Sequence, residues 1–282
     1  MNRAAALICC IAALAGCEGS GEAPPQPAGT ERVVSLSPAI TLLLSDLSLD
    51  DRLVGRSAFC RGVDALPVGG DLSGVDVETV VRLQPDLLIH QQTAAPPPAG
   101  LHEAAEMAGA QVLAVPVDNM DDLHQAIDSI VSAMDPDGAD AILQQRRGDL
   151  HQVLYEAVAP KPTGHHRVML LQPGPSMLLW GGQTWLGHIV QAAGAQVVMP
   201  DRAWVGVSAE DVVRLEPDVI FVLAEQEHAP LEAAASLPTP AQRDGRVYLL
   251  SHPRLMIPGL HALQVREQVD TLLQTPSAAA AG

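Results

Sequence analysis

The chain has few aromatic residues. They make up 2% of its 282 residues, as two Phe, two Tyr and three Trp. Cationic residues are scarce as well: Lys161 is the single lysine, and 16 Lys and Arg stand against 33 Asp and Glu, a formal net charge of -17. An acidic surface of this kind argues against nucleic acid and anionic lipid as partners. Of four cysteines, Cys9, Cys10 and Cys17 fall in or beside the N-terminal apolar run, so Cys60 stands alone in the body of the chain. An internal disulfide is thereby excluded, and the fold must rest on an apolar core. Catalytic signatures are missing too. There is no G-x-G-x-x-G after the first expected strand, no G-x-x-x-x-G-K-[ST] and no G-x-S-x-G, so dinucleotide, nucleotide and serine-hydrolase chemistry lack their sequence marks. The ten histidines show no i, i+4 pair, which argues against a preformed zinc site. No catalytic residue and no metal ligand is assigned, and the chain is not expected to be an enzyme.

What the N-terminus does contain is Arg3 followed by an apolar run from Ala4 to Ala15. The run is too short to span a bilayer as a helix and reads as a secretion signal over residues 1–16. Leu14-Ala15-Gly16-Cys17 resembles a bacterial lipobox, which makes Cys17 the lipidated first residue of the mature protein. Residues 17–31, rich in Gly, Pro, Ala and Glu, read as a flexible tether. The expectation is an exported, membrane-anchored lipoprotein facing the periplasm or the cell exterior.

The body says nearly the same thing twice. Glu78-Thr79-Val80-Val81-Arg82-Leu83-Gln84-Pro85-Asp86-Leu87-Leu88-Ile89 returns as Glu210-Asp211-Val212-Val213-Arg214-Leu215-Glu216-Pro217-Asp218-Val219-Ile220-Phe221. Arg32-Val33-Val34-Ser35-Leu36-Ser37-Pro38 is echoed by Arg167-Val168-Met169-Leu170-Leu171-Gln172-Pro173. Each long copy reads as a short helix halted by proline and followed directly by a buried strand. The alternation of strand-like and helix-like pieces predicts an α/β chain. An N-terminal lobe over 32–136 and a C-terminal lobe over 161–274 follow, with one long connecting helix over 137–160 and a disordered tail over 275–282. A rigid helix between lobes would hinder large hinge closure.

These motifs, together with Leu53-Val54-Gly55-Arg56-Ser57 and Gly194-Ala195-Gln196-Val197-Val198, resemble the helical-backbone periplasmic binding proteins of ABC importers for cobalamin, ferric siderophores and haem. The resemblance runs from Arg32 to about Gln274. It implies two Rossmann-like lobes joined by a single long α-helix, with the ligand in the cleft between them. It also implies a monomer whose partners are a permease with its ATPase, the membrane through the lipid anchor, and a small-molecule metal chelate. No cofactor is expected.

The same resemblance gives Glu78 and Glu210, each at the second position of a short helix, the role of docking onto permease arginines. An acid in a first helical turn is also favoured simply by the helix dipole, wherever it occurs. Ligand contacts must come from the carboxyl ends of strands, where open α/β sheets form their crevices. The candidates are Phe59, Cys60, Arg61, His90, Trp180, Trp204 and Arg254, with Ser37, Asp71, Leu72, Pro173, Ser176 and His252 nearby in sequence. Trp180 and Trp204 are placed at loops, where flat rings suit a corrin or porphyrin face. Ser57-Ala58-Phe59-Cys60-Arg61 and Ala203-Trp204-Val205-Gly206-Val207 resemble segments of cobalamin binders, which puts a corrinoid first. Leu72 departs from that pattern, standing where such proteins often carry an aromatic. Arg61, Arg202 and Arg254 would suit a siderophore, and His90 or His252 a haem iron. Rival readings are a Rossmann-like enzyme, a free-metal receptor and a ligand-free interaction lipoprotein.

Overall fold

The computed structural model describes residues 31–162, 164–226 and 231–276. The expected signal, the lipidation site at Cys17, the tether up to Thr30 and the end of the tail lie outside the described residues. Among the described residues no helix is long and apolar enough to cross a membrane.

The first sheet is built from β1 (Val33–Ser35), β2 (Leu53–Ser57), β3 (Val68–Gly70), β4 (Leu87–Gln91) and β5 (Gln111–Val115), in the order β3-β2-β1-β4-β5. Every pairing in it is parallel. Helices α1 (Pro38–Asp46), α2 (Val77–Leu83) and α3 (Leu101–Ala108) cover its faces. This is why Leu87-Leu88-Ile89 is continuously apolar and wholly buried rather than alternating. Two longer helices follow, α4 (Met120–Met134) and α5 (Ala141–Ala157).

The second sheet is mixed. It comprises β6 (Arg167–Gln172), β7 (Met177–Trp180), β8 (Gln196–Val197), β9 (Trp204–Val207), β10 (Val219–Ala224) and β11 (Val247–Ser251), interleaved with α6 (Trp185–Ala192), α7 (Ala209–Arg214), α8 (Leu231–Ala235), α9 (Pro240–Arg243) and α10 (Ala262–Gln274). Its order is β11-β10-β6-β7-β9. One edge of β6 serves two partners: β8 runs parallel beside Arg167 and Val168, and β7 runs antiparallel beside Leu170 to Gln172.

The sequence repeat is a structural repeat down to the turn. Gln84 and Glu216 both adopt φ 46°, in the left-handed region, immediately before a proline that cannot continue a helix. In each lobe the arginine that opens the central strand donates back to this turn. Arg32 Nε reaches the Gln84 carbonyl at 3.1 Å and Arg167 Nη1 the Glu216 carbonyl at 3.3 Å. In each lobe the aspartate after the proline returns the bond: Asp86 Oδ2 accepts the Arg32 amide at 2.9 Å, and Asp218 Oδ2 the Arg167 amide at 2.8 Å. The Arg, Pro and Asp that recur in the two copies therefore form a lock between strand start and helix end.

Helix α5 spans 17 residues and is shorter at both ends than the expected 137–160. Asp140 caps it, its carboxylate accepting the Ile142 and Leu143 amides at 3.1 and 3.0 Å. Upstream, Asp135 gathers the Ala139 and Asp140 amides and Gly138 turns at φ 65°, so that stretch is a turn. One apolar core passes through both halves. It runs from Ile40 and Leu43 on α1 and Ile127 on α4, through Leu143, Leu150 and Leu154 on α5, to Leu170, Phe221 and Val265. Opening the lobes widely would expose that shared core, which restrains them more strongly than a strand linker could.

Candidate functional site

The cleft between the lobes is lined on the first side by Thr41, Leu42, Ser45, Phe59, Arg61 and Val63, and on the second by Glu225, Arg254 and Ile257. It encloses about 240 Å³. Its position follows from topology. Phe59 and Arg61 leave the carboxyl end of β2, Glu225 leaves that of β10, and Arg254 follows β11, all on the side where parallel strands leave a crevice.

Phe59 stands 70% exposed, held by its amide donating to Ser57 Oγ at 3.2 Å. Arg61 crosses the cleft to Glu225, with 3.1 Å between Nη1 and Oε2. Cys60 turns the other way. It is buried, and its Sγ lies 3.0 Å from Thr41 Oγ1, so the thiol sits behind the wall that Thr41 presents. Arg254 belongs to a turn in which its amide donates to His252 Nδ1 at 3.2 Å, and the His252 ring lies flat on His261 at 4.4 Å.

The lobes are also sewn together beside the cleft. The Leu260 amide of the second lobe donates to Asp46 Oδ2 at the end of α1, at 3.0 Å. Burial raises the Asp46 carboxyl above the usual carboxylate range, opposed by that same hydrogen bond and by Arg254. At the end of β4, Gln91 accepts from Ser37 Oγ at 3.1 Å, and the neighbouring Asp118 carbonyl accepts the Trp185 amide at 3.0 Å.

Trp180 and Trp204 are not in loops. They are directly paired residues of the antiparallel strands β7 and β9, and their rings meet edge to face at 5.8 Å and 83°. Trp180 is 5% exposed and its Nε1 donates to Gln172 Oε1 at 2.9 Å, at the carboxyl end of β6; Trp204 is 40% exposed. Trp185, by contrast, packs in the core and edges onto His261. His90 is buried on β4 with Nδ1 3.1 Å from the Gln91 carbonyl, and burial lowers its pKa, with His102 of α3 adding to the effect. It does not line the cleft. Phe59, Arg61 and Arg254 are thus brought together, Cys60 lies beneath them, and the tryptophan pair forms a separate edge of the second sheet. Leu42, Glu225 and Ile257 were not anticipated from sequence, because only tertiary packing turns α1 and the 253–257 turn inward.

The paired glutamates occupy equivalent places. Glu78 follows the N-cap Asp76, whose carboxylate accepts the Thr79 amide at 3.0 Å. Glu210 follows Ser208, which forms a reciprocal capping box with Asp211. Both acids are exposed, and Glu78 lies 3.7 Å from Arg82 on its own helix. The capping work is done by their neighbours, which leaves these two carboxylates outside the helix-end hydrogen bonding.

Two α/β lobes sharing a core and facing a cleft define a two-lobed binding protein. The chain belongs to the periplasmic binding protein family, which it matches over residues 33–252. It is 29% identical over 224 residues to the vitamin B12-binding protein of Yersinia pestis, covering 74% of this chain and 75% of that one. It is 25% identical over 197 residues to the uncharacterized ABC transporter substrate-binding lipoprotein YvrC of Bacillus subtilis, covering 67% of this chain and 62% of the length of that relative. Among solved structures, the periplasmic haem binding protein of Vibrio cholerae shares the fold at TM-score 0.70 and 21% identity, over 86% of this chain and 99% of that one. The periplasmic vitamin B12 binding protein of the same organism does so at TM-score 0.68 and 21% identity, over 87% and 97%.

Proposed function

We propose that this protein is the substrate-binding subunit of an ABC importer, exported and held at the membrane through Cys17. In this reading it captures cobalamin or a related corrinoid between its lobes and delivers it to the permease and its ATPase through Glu78 and Glu210. It performs no chemistry. The observation that carries the reading is the cleft between core-sharing lobes in a chain of this family, with exposed Phe59 on one wall and apolar Leu42 and Ile257 beside it. Flat apolar surface suits a macrocycle face. The B12-binding relative at 29% identity supports the choice of cargo.

A ferric siderophore or haem is the second reading, favoured by one observation: two guanidinium groups, Arg61 and Arg254, line the cleft. Guanidinium recognises carboxylates and other anionic oxygens through paired hydrogen bonds. Haem ligation by a histidine is less well supplied. His90 is buried on β4, and His252 accepts the Arg254 amide through Nδ1 and bonds Gln264 as well.

Delivery is tested by reversing both acids. Cells carrying Glu78→Arg together with Glu210→Arg are expected to lose uptake while the purified variant keeps its ligand affinity. Uptake retained by the double variant overturns the docking role.

A further inference from the structure

Away from the cleft, α4 and α5 bring two histidines together that sequence separates by 27 positions. His124 Nδ1 and His151 Nδ1 lie 2.5 Å apart. The ring planes are within 14° and the centroids 4.8 Å apart, so the imidazoles meet edge to edge with these nitrogens facing. On its far side His151 donates through Nε2 to Asp128 Oδ1 at 2.8 Å. That bond fixes the His151 tautomer and leaves the Nδ1 lone pair pointing at His124. Two such lone pairs repel at this distance, so something must lie between the nitrogens: the N–H proton of a neutral His124 imidazole or, once the nitrogens part, a metal ion in its place.

Two carboxylates stand near the pair. Asp121 and Asp128 act on His124 electrostatically, against burial and His151, which together hold its imidazole below the ordinary range. Asp128 is held in turn by Arg147 Nε at 2.7 Å. Tyr155 stacks on His124 at 4.3 Å, closing one side of the ring. His151 keeps 18% of its side chain exposed and Asp128 46%, which leaves a path from solvent. A carboxylate behind an imidazole is the outer-shell arrangement that raises the basicity of a metal-binding histidine and sets its orientation. Donors carried on two packed helices are also held more rigidly than donors on loops.

We propose that His124 and His151 form a binding site for a divalent transition-metal ion of the zinc, nickel or copper type, with Asp128 as the positioning residue behind His151. Imidazole nitrogen selects these ions over magnesium or calcium. Among the described residues no three His, Cys, Asp or Glu side chains gather as a ready cage, so the site supplies two protein donors and water completes the coordination. To admit zinc the nitrogens part to roughly 3.3 Å, the separation subtended by two 2.0–2.1 Å bonds at a tetrahedral angle. The ion then bridges α4 to the connecting helix α5. Because each bound nitrogen must be deprotonated, affinity falls on acidification.

The test is calorimetric titration of chelator-treated protein with zinc chloride, and separately with nickel chloride. One equivalent binds saturably at pH 7.5 and more weakly at pH 5.5. His124→Ala and His151→Ala each lower the affinity at least ten-fold, Asp128→Asn lowers it by about ten-fold or more, and His252→Ala does not change it. Absence of saturable binding, or wild-type affinity in both histidine variants, overturns the proposal and leaves a proton-sharing pair. Imidazole nitrogen NMR of the wild-type protein needs no variant. Substoichiometric zinc is expected to shift the Nδ1 signals of His124 and His151 first, and shifts confined to other histidines overturn the site.

Discussion

Arg61 of the first lobe and Glu225 of the second form an ion pair across the cleft, with 3.1 Å between Nη1 and Oε2. Arg61 is largely solvated, with 79% of its side chain exposed, so the pair contributes at most about 1 kcal/mol to stability. Its consequence lies in what it offers a ligand. An anionic chelate competes with Glu225 for the guanidinium, whereas an uncharged face does not. Glu225→Gln is therefore expected to leave the melting temperature nearly unchanged, and to tighten binding of a ferric siderophore or hemin several-fold while leaving a corrinoid unaffected. Arg61→Ala weakens the anionic ligands alone. Parallel calorimetric titrations of both variants check this, and equal changes for every ligand would contradict it.

The tryptophans divide by burial. Trp180→Ala removes a buried ring and the partner of Gln172, and is expected to cost about 3 kcal/mol or more. Trp204→Ala, at a half-exposed position, costs much less. Urea denaturation of the two variants distinguishes them, and equal losses would mean the T-shaped pair is not packed as described.

Gly148 lies on the exposed side of α5, and a Cβ built there meets nothing within 4 Å. Glycine in a helix interior costs backbone entropy that alanine does not. Gly148→Ala is expected to raise unfolding free energy by about 0.5–1 kcal/mol. A loss of stability would show that α5 is not a regular helix at this point.

His261 is buried against Trp185 and His252, and burial, aided by the nearby His252, pushes its imidazole down to about 4 from the ordinary 6.5. The unfolded chain takes up this proton at a pH where the folded chain refuses it. The contribution is therefore complete above about pH 6.5 and is lost as pH falls through about 4, amounting to at most about 3 kcal/mol. His261→Phe keeps a ring in place and should flatten this part of the stability profile between pH 6.5 and 4. An unchanged slope would remove His261 from the acid response.

The repeat made the two lobes legible in advance, because the Arg, Pro and Asp of each copy are the residues that hydrogen-bond strand start to helix end. The equivalent placement of Glu78 and Glu210 at the starts of α2 and α7 was legible for the same reason. The tryptophans were misplaced because Met177-Leu178-Leu179-Trp180 carries no apolar-polar alternation, and β7 and β9 become strands only by pairing with β6 and with each other. Strand β3 is three residues long and contains two glycines, leaving almost no pattern to read. Glu225 carries no mark in the sequence, since only the fold places Arg61 opposite it. His124 and His151 carry no mark either, since no one-helix period links positions on different helices.

Capture of a metal chelate in the cleft is tested by titrating the purified protein with cyanocobalamin, followed by heat and tryptophan fluorescence. Hemin and a ferric siderophore serve as parallel titrants. Saturable one-to-one binding of the corrinoid is expected at micromolar concentration or below. Binding of hemin or the siderophore instead would keep the importer role and change its cargo, and silence toward all three would rule out chelate capture.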